Sequence, residues 1–317
     1  MRSGPRVVLT LFSILFTLGA GFPFASGQAA ATYSLGDFWE YAVEARLDTL
    51  LGFGNISGSL AADGETRAEV SAVSDDEATL TWSGEHALQG RFTLPGETIE
   101  AVVAGTIGTS YEEHRRSPYY LPVAFNAQTT FEGTISFIVS LAYTANLGLN
   151  ATLPPSASSP TFPLEVGTQT FTTTGTVASN VMVEFPGMGF ENSTVEEVMS
   201  TIRWNVTESA SVEVPQGTFS GLRVTMEAVT GFVPSPFQGL VPGTVQVAHH
   251  SPDVGSPVLF QFLVNETEVG RASLTDFSYA SSVPPPFWQN PIFLGGLLAI
   301  PIALLVYRYW RERRRGL

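Results

Sequence analysis

Apolar and polar residues alternate with a period of two through the middle of the chain, and this pattern predicts β-strands. In the clearest run, Ile135, Phe137, Val139, Leu141 and Tyr143 share one face, while threonine and serine occupy the other. We therefore expect a half-buried strand there. Four further runs alternate in the same way: 39–47, 202–207, 222–228 and 260–264.

Turn-forming residues separate these runs at intervals that suit a meander of antiparallel hairpins. The turn signals are Asp63-Gly64, Ser74-Asp75-Asp76, Pro95-Gly96, Pro215-Gln216-Gly217 and Asn265-Glu266-Thr267. About ten strands are expected, in an all-β, mainly antiparallel ectodomain built as a curved sheet or half-barrel or as a β-sandwich.

Two segments leave alternatives open. Thr194 and Glu197 are spaced as a helical capping box, but Val195, Val198 and Ile202 equally continue a strand. Residues 153–160 (LPPSASSP) form either a linker between two domains or a long loop within one, so an internal boundary at 153–161 is kept as an option.

The N-terminus has the order of parts of a secretory signal peptide. Arg2 and Arg6 precede an uncharged run over 7–22, and small residues follow at 25–27. We predict a signal peptide over 1–27 and an exported β-rich domain over 28–280. An uncleaved N-terminal anchor is the alternative.

The C-terminus is predicted to anchor the protein in a membrane. Residues 292–310 carry one charge, at Arg308, and their 19 residues would span about 28 Å as a helix. Trp288 and Trp310 flank this segment, and Arg311 begins a basic tail over 311–317, as expected for a single pass with the C-terminus in the cytoplasm. The proline-rich residues 281–291 are interpreted as a stalk.

Charge and composition exclude several classes of binding partner and of chemistry. Residues 28–290 contain eight arginines against 28 carboxylates, a net charge of −20, which disfavours nucleic acid and anionic lipid. The chain has no cysteine, so its stability must come from burial of the core rather than from disulfides. It also has no lysine, which excludes the P-loop lysine and Schiff-base chemistry.

Five sequons are candidate sites for N-glycosylation in a host that glycosylates. They lie at Asn55, Asn150, Asn192, Asn205 and Asn265.

Several short motifs, in order along the chain, resemble exported prokaryotic proteins related to lipoprotein-carrier (LolA-like) half-barrels. They are YSLGDFWEY at 33–41, FPLEVG at 162–167, VEVPQGTF at 212–219, SPDVG at 251–255 and LTDF at 274–277. The resemblance implies a strongly curved antiparallel sheet whose concave face holds acyl chains or another apolar ligand.

Catalytic motifs are absent from the sequence. The nearest approach to a metal or base site is the pair His249 and His250 with Asp253, but adjacent residues of a strand point to opposite faces. No cofactor is expected.

The sequence therefore predicts a non-enzymatic binding module at the cell envelope, holding an apolar ligand, a lipid or a protein partner at the outer surface. The alternatives are a structural or adhesive glycosylated surface protein without a pocket and, third, a metal-dependent hydrolase.

Overall fold

The computed structural model describes residues 33–46, 57–93, 100–137, 140–185, 188–208, 211–231 and 244–279. All regular structure in these residues is β-strand. The strands are β1 Phe38–Arg46, β2 Ser57–Val73, β3 Glu77–Thr93, β4 Glu100–Arg116, β5 Ala124–Ser136, β6 Ser140–Thr152, β7 Gly167–Phe185, β8 Met188–Glu208, β9 Val212–Val214, β10 Gly217–Phe219, β11 Leu222–Thr230, β12 Thr244–Ser251, β13 Ser256–Val264 and β14 Thr267–Ser278.

Twelve of these strands form one closed, antiparallel barrel. Each pairs with its neighbours along the chain, and β14 returns to pair with β1, from Phe38 opposite Ser278 to Ala45 opposite Gly270. The short strands β9 and β10 form a separate hairpin between β8 and β11. The prediction of an all-β antiparallel fold is thus confirmed, whereas the open half-barrel and the sandwich are wrong, because pairing of the first and last strands removes both sheet edges.

The two ends of the barrel are distinguished by their connections. At the end that we call the capped end, the strands are joined through residues 74–76, 117–123, 153–166 and 252–255. Segments 117–123 and 153–166 hydrogen-bond to each other there, through Tyr120 N to Pro160 O (2.8 Å) and Phe162 N to Pro118 O (2.7 Å). Residues 153–166 thus join β6 to β7 of one barrel.

The core fills the barrel with the inward-facing members of each alternating strand. In β1, Trp39, Tyr41, Val43 and Ala45 are buried, as the alternation predicts. Aromatic residues supply the largest fully buried side chains: Trp39, Trp82, Tyr41, Tyr111, Tyr120, Phe131, Phe260 and Phe262. Such a core compensates for the missing disulfides through buried apolar area.

A glycine pair allows β4 and β5 to approach closely. Gly105 lies opposite Gly133, and the hydroxyl of Tyr143 lies near both. A Cβ on Gly105 would come within 2.3 Å of the carbonyl oxygen of Glu132, so neither strand accepts a side chain there without moving.

Three expectations are corrected or decided by the strand boundaries. The run at 135–143 is not one strand, because β5 ends at Ser136 and β6 begins at Ser140, and these two serines pair. Three residues separate the two serines, so odd-numbered residues point inward in β5 and in β6 alike. The alternation therefore continues across the connection, and it gave no sign that one strand ends and another begins. Asp63-Gly64 lies inside β2 rather than in a turn, and residues 194–202 belong to β8 rather than to a helix.

The predicted segments at the two ends lie outside the described residues. These are the signal peptide, the stalk, the segment 292–310 and its flanks Trp288, Trp310 and Arg311. Within the described part of the chain, no helix is long and apolar enough to cross a membrane.

Candidate functional site

The inner face of β4 carries a buried ion pair near the capped end. Glu113 and Arg115 are separated by two positions, so both side chains point into the barrel. The Arg115 Nε donates to Glu113 Oε1 at 2.6 Å, and the side chains are 4% and 0% exposed, respectively. The hydroxyl of Tyr111 donates to the other carboxylate oxygen at 3.2 Å.

Burial and pairing act against each other on these two groups. Burial raises the pKa of the Glu113 carboxyl, and the charge of Arg115 opposes this shift without cancelling it. Burial also works against the charge of Arg115, but Glu113, together with Tyr33 and Tyr111, outweighs it and keeps the pKa of Arg115 above its ordinary value. Arg115 is therefore a permanent cation in the interior.

The guanidinium group of Arg115 lies close to a second buried donor, the hydroxyl of Tyr33. Both terminal nitrogens of Arg115 and the Tyr33 hydroxyl are buried, with almost no accessible surface. A side-chain hydrogen bond between Tyr33 and Arg115 contributes to the pKa of the phenol. Burial raises the pKa of Tyr33, and the nearby positive charge of Arg115 opposes that shift, so the phenol remains a neutral donor.

Arg115 and Tyr33 are among the residues that line a cavity of about 140 Å³. Its wall combines the β2–β3 turn, the end of β4 and the two capping segments: Tyr33, Val73, Ser74, Asp75, Asp76, Glu77, Ala78, Arg115, Arg116, Ser117, Pro118, Tyr119 and Phe162. At about 30 Å³ per water molecule, this volume holds four or five waters or one small molecule.

The rim of the cavity is charged. Arg116 lies 3.3 Å from Glu77 and 3.9 Å from Asp76, and Glu77 also contacts His114 at 3.1 Å. Asp75 forms no ion pair with any residue that the structure describes. The lining of the cavity thus combines the buried cation Arg115 with the carboxylates of the rim.

The histidines predicted to come nearest to a metal site are not brought together. His250 points inward and is buried, with its Nε2 2.9 Å from the hydroxyl of Tyr120. His249 points outward and lies 3.2 Å from Gln261, and Asp253 is in the exposed turn after β12. Burial lowers the pKa of both histidines. Among the described residues, no group of three or more His, Asp or Glu side chains is arranged to hold a metal ion.

The sequons fall in different surroundings. Asn150 on β6 and Asn265 in the β13–β14 turn are exposed, and Asn205 on β8 is partly exposed and accepts a hydrogen bond from Thr168 at 3.2 Å. Asn192 lies in β8, and Asn55 is outside the described residues.

Sequence reasoning missed Glu113 and Arg115. They belong to the charged run 112–116 (EEHRR), which has the composition of a solvated strand end. A signal was available in the phase of β4, since Val103, Ile107 and Tyr111 occupy the same face. Continuing the same alternation for four more residues would have placed both Glu113 and Arg115 inside the barrel.

Comparison with known proteins gives one likeness of structure. The chain is similar to the crystal structure of a β-barrel-like protein of the domain of unknown function DUF1849 from Brucella abortus, with 9% sequence identity and a TM-score of 0.34. The match covers 78% of this chain and all of that one (100%). No family model matches the sequence, and no curated protein matches it either.

Proposed function

We propose that this protein is a non-enzymatic binding module of the cell envelope, tethered by its C-terminal segment, which holds a small polar ligand at the capped end of the barrel. The observation that carries the proposal is the cavity at the capped end, whose lining combines the buried cation Arg115 with the carboxylates of Asp75, Asp76 and Glu77.

A small cavity with a charged lining supports a binding role, because such a space holds either water or a polar molecule. Arginine recognises carboxylate and phosphate groups through charge-assisted hydrogen bonds. A small molecule that carries such a group is therefore the class of ligand that this lining favours.

The chemistry of the wall favours binding over catalysis. Arginine cannot act as a base near neutral pH, and Glu113 is held by Arg115 and Tyr111. No histidine is among the residues that line the cavity in the described structure. General acid–base catalysis requires a positioned group that gains and loses a proton. The other carboxylates of the wall, Asp75, Asp76 and Glu77, lie at its outer rim, where Asp76 and Glu77 contact Arg116.

The size of the cavity changes the ligand expected from the sequence. A volume of about 140 Å³ is too small for a long acyl chain, and aromatic side chains fill the interior beside it. A wider depression of about 740 Å³ over β2 and β3 is lined mainly by polar and charged residues, which do not suit an acyl chain either. We therefore favour a small polar ligand over the lipid that the resemblance to lipoprotein carriers implies.

A structural or adhesive surface protein is the second candidate function. The densely filled aromatic core supports it, because a barrel whose inside is occupied by its own side chains suits a stable scaffold. On this alternative, the cavity holds only water.

Native mass spectrometry of the full-length protein in mild detergent separates the two functions. We expect a small molecule to accompany the wild type and the control variant Arg91→Met, which alters an exposed arginine. The double variant Glu113→Gln/Arg115→Met removes both charges and should lose that molecule while keeping its near-UV circular dichroism. A folded wild type that carries no ligand, and that no small carboxylate or phosphate stabilises, would favour the structural role.

The tether is tested separately by cell fractionation. We expect the full-length protein in the membrane fraction and a chain ending at Ala280 in the soluble exported fraction. Full-length protein in the cytosol with residues 1–27 intact would contradict the envelope assignment.

A further inference from the structure

Barrel closure leaves one stretch of strand edge without a partner strand in the part of the chain that the structure describes. β8 runs from Met188 to Glu208, but β11 pairs with it only from Thr201 to Glu208. β7 pairs with the other side of β8 continuously, from Met188 to Val206. Residues 188–199, which we call the β8 edge, thus have a described strand on one side only.

The β8 edge lacks most of the features that protect a strand edge from pairing with another chain. Such protection comes from proline, a β-bulge, a very short strand or charged side chains, above all lysine. Residues 188–199 contain no proline, lysine or arginine, and they pair with β7 without a shift of register. Their backbone N–H and C=O groups on the side away from β7 are therefore positioned to pair with a further strand.

Two apolar side chains of the β8 edge are exposed on the outer face of the barrel. Ile202 and Trp204 of the same strand are buried inside, so the odd-numbered residues point outward. Among these, Val195 is 72% exposed and Met199 is 67% exposed. A strand added to this edge would bring its own outward side chains beside them, as cross-strand neighbours.

A second copy of the chain fits this edge because the edge is complementary to itself in one antiparallel register. With a two-fold axis at residue 195, residues 191–199 pair with residues 199–191 of the other copy. Valine then lies opposite valine, and the three glutamates of the edge, at 191, 196 and 197, lie opposite positions 199, 194 and 193, which carry no charge. An axis at 194, 196 or 197 would instead place glutamates opposite each other, which is destabilising.

We propose that two copies of this protein pair antiparallel through their β8 edges, with Val195 of each copy opposite Val195 of the other. A pair over residues 191–199 is about 30 Å long and forms about one backbone hydrogen bond per residue. A contact made by one strand is smaller than the standard interface of about 800 Å² per partner, so we expect a weak dimer that dissociates in the micromolar range. This dimer does not require the ligand proposed above.

A cysteine at position 195 tests the pairing directly, because the chain has no native cysteine. Residues opposite each other on antiparallel strands have Cβ atoms about 4.5–5.5 Å apart, close to the separation of about 3.5–4.5 Å in a disulfide. We expect the full-length Val195→Cys variant, in mild detergent with a mild oxidant, to form a disulfide-linked dimer. Its matched control is Thr106→Cys, at an exposed position of β4, which β3 and β5 pair on both sides. The control should give about tenfold less dimer, because nothing holds its two cysteines together.

Analytical ultracentrifugation of the full-length protein without added cysteines gives a second readout. We expect wild type to show a monomer–dimer equilibrium, and Val195→Lys to weaken the dimer about fivefold or more, because two like charges then lie opposite each other. Thr106→Lys adds the same charge to a strand that is paired on both sides and should leave the equilibrium unchanged. Lysine at the exposed position 195 carries little risk to the fold, and near-UV circular dichroism checks this.

Three outcomes would overturn the proposal. A wild type that stays monomeric at every concentration reached would leave the β8 edge to a different occupant, such as an extended peptide of another protein. Equal disulfide yields from the two cysteine variants would mean that the linked dimers come from random collision. A Val195→Lys dimer as tight as that of wild type would mean that the copies associate through another surface.

Discussion

At the scale of single residues, removing one partner of the Glu113–Arg115 ion pair should cost more stability than replacing both partners together. Removing only Arg115 leaves a carboxylate buried with no counter-charge, which typically costs about 3–5 kcal/mol. Replacing both partners by uncharged residues removes the desolvation penalty along with the attraction. We predict that Arg115→Met is severely destabilising and that Glu113→Gln/Arg115→Met recovers more than half of the loss, as measured by urea unfolding.

The same pair predicts a dependence on pH. The pKa of Glu113 is raised in the folded protein, so the folded state holds its proton to a higher pH than the unfolded state, and stability falls as pH rises above the unfolded value of 4.5. Without Arg115 the pKa should rise further. The difference in unfolding free energy between wild type and Arg115→Met should therefore be larger at pH 8 than at pH 5, and an equal difference at both would contradict a buried charge.

His86 gives a second prediction, with the opposite sign. Its ring is buried in β3 with Nε2 3.3 Å from the hydroxyl of Thr66, and burial lowers its pKa to about 4. Between pH 6.5 and about 4 the unfolded chain binds the proton and the folded protein does not, so stability is lost as pH falls through that window.

We expect the advantage of wild type over His86→Gln to shrink by roughly 1–2 kcal/mol between pH 7.5 and pH 5, at about 1.4 kcal/mol per pH unit below 6.5. Urea unfolding at the two pH values measures it. A constant difference would show that His86 does not stay neutral in the fold.

At the scale of elements, the paired glycines of β4 and β5 determine how closely these strands approach. A methyl group at Gly105 would meet the Glu132 carbonyl oxygen at 2.3 Å, whereas one at Gly148 in β6 would meet nothing within 4 Å. We predict that Gly105→Ala destabilises the barrel by more than about 2 kcal/mol, as overpacking does. Its matched control, Gly148→Ala, should be neutral or stabilising by a few tenths to 1 kcal/mol, because alanine reduces the entropy of the unfolded chain.

Thermal unfolding of the two alanine variants beside wild type measures the contrast. Equal melting temperatures for both would mean that the β4–β5 contact relaxes without strain, and that the glycine pair is not required for the close approach of the two strands.

The sequence predicted strands better than it predicted where they end. Alternation identifies the buried face of β1 because each residue of one phase is apolar, from Trp39 to Ala45. It failed at residues 135–143, where a three-residue connection preserves the phase, and at Asp63-Gly64, where a glycine serves close strand packing instead of a turn. The local sequence of a turn and that of a continuing strand are alike at these positions, so only the pairing with a neighbouring strand shows which of the two is formed.

The candidate site was less predictable still. Its parts come from the β2–β3 turn, the end of β4 and the segments 117–119 and 162. They are brought together by the pairing of β3 with β4 and by hydrogen bonds such as the one from Phe162 N to Pro118 O. No spacing within the sequence encodes that meeting. The burial of Arg115 was accessible in principle from the phase of β4, but the cavity beside it was not.

At the scale of the whole molecule, the barrel depends on a seam between its first and last strands. Along this seam, β1 pairs with β14 from Phe38 opposite Ser278 to Ala45 opposite Gly270. Side chains of β1 also reach the turn before β13 and β13 itself: Trp39 donates its indole N–H to the carbonyl of Val254 at 2.7 Å, and the hydroxyl of Tyr41 donates to the carbonyl of Pro257 at 2.9 Å. These bonds join positions about 215 residues apart, so contacts at the seam form only when nearly the whole described chain is in place.

Removing the last strand should therefore unfold the whole barrel rather than leave a smaller folded sheet. A chain ending at Val264 lacks β14, which buries Val269, Ala272 and Leu274 and pairs with both β1 and β13. Its loss exposes two strand edges and a side of the aromatic core. We expect the free-energy cost of that exposure to exceed the total stability of a domain, which is typically about 5–15 kcal/mol. The control is a chain ending at Ala280, which retains every described strand.

We expect the control to unfold in urea through one cooperative transition, followed by the fluorescence of Trp39, Trp82 and Trp204, which are all buried. The shorter chain should show no transition and an emission maximum already at the position of exposed tryptophan. A cooperative transition in the chain ending at Val264 would mean that the remaining strands hold together as an open sheet, and that closure by β14 adds to the fold without being required for it.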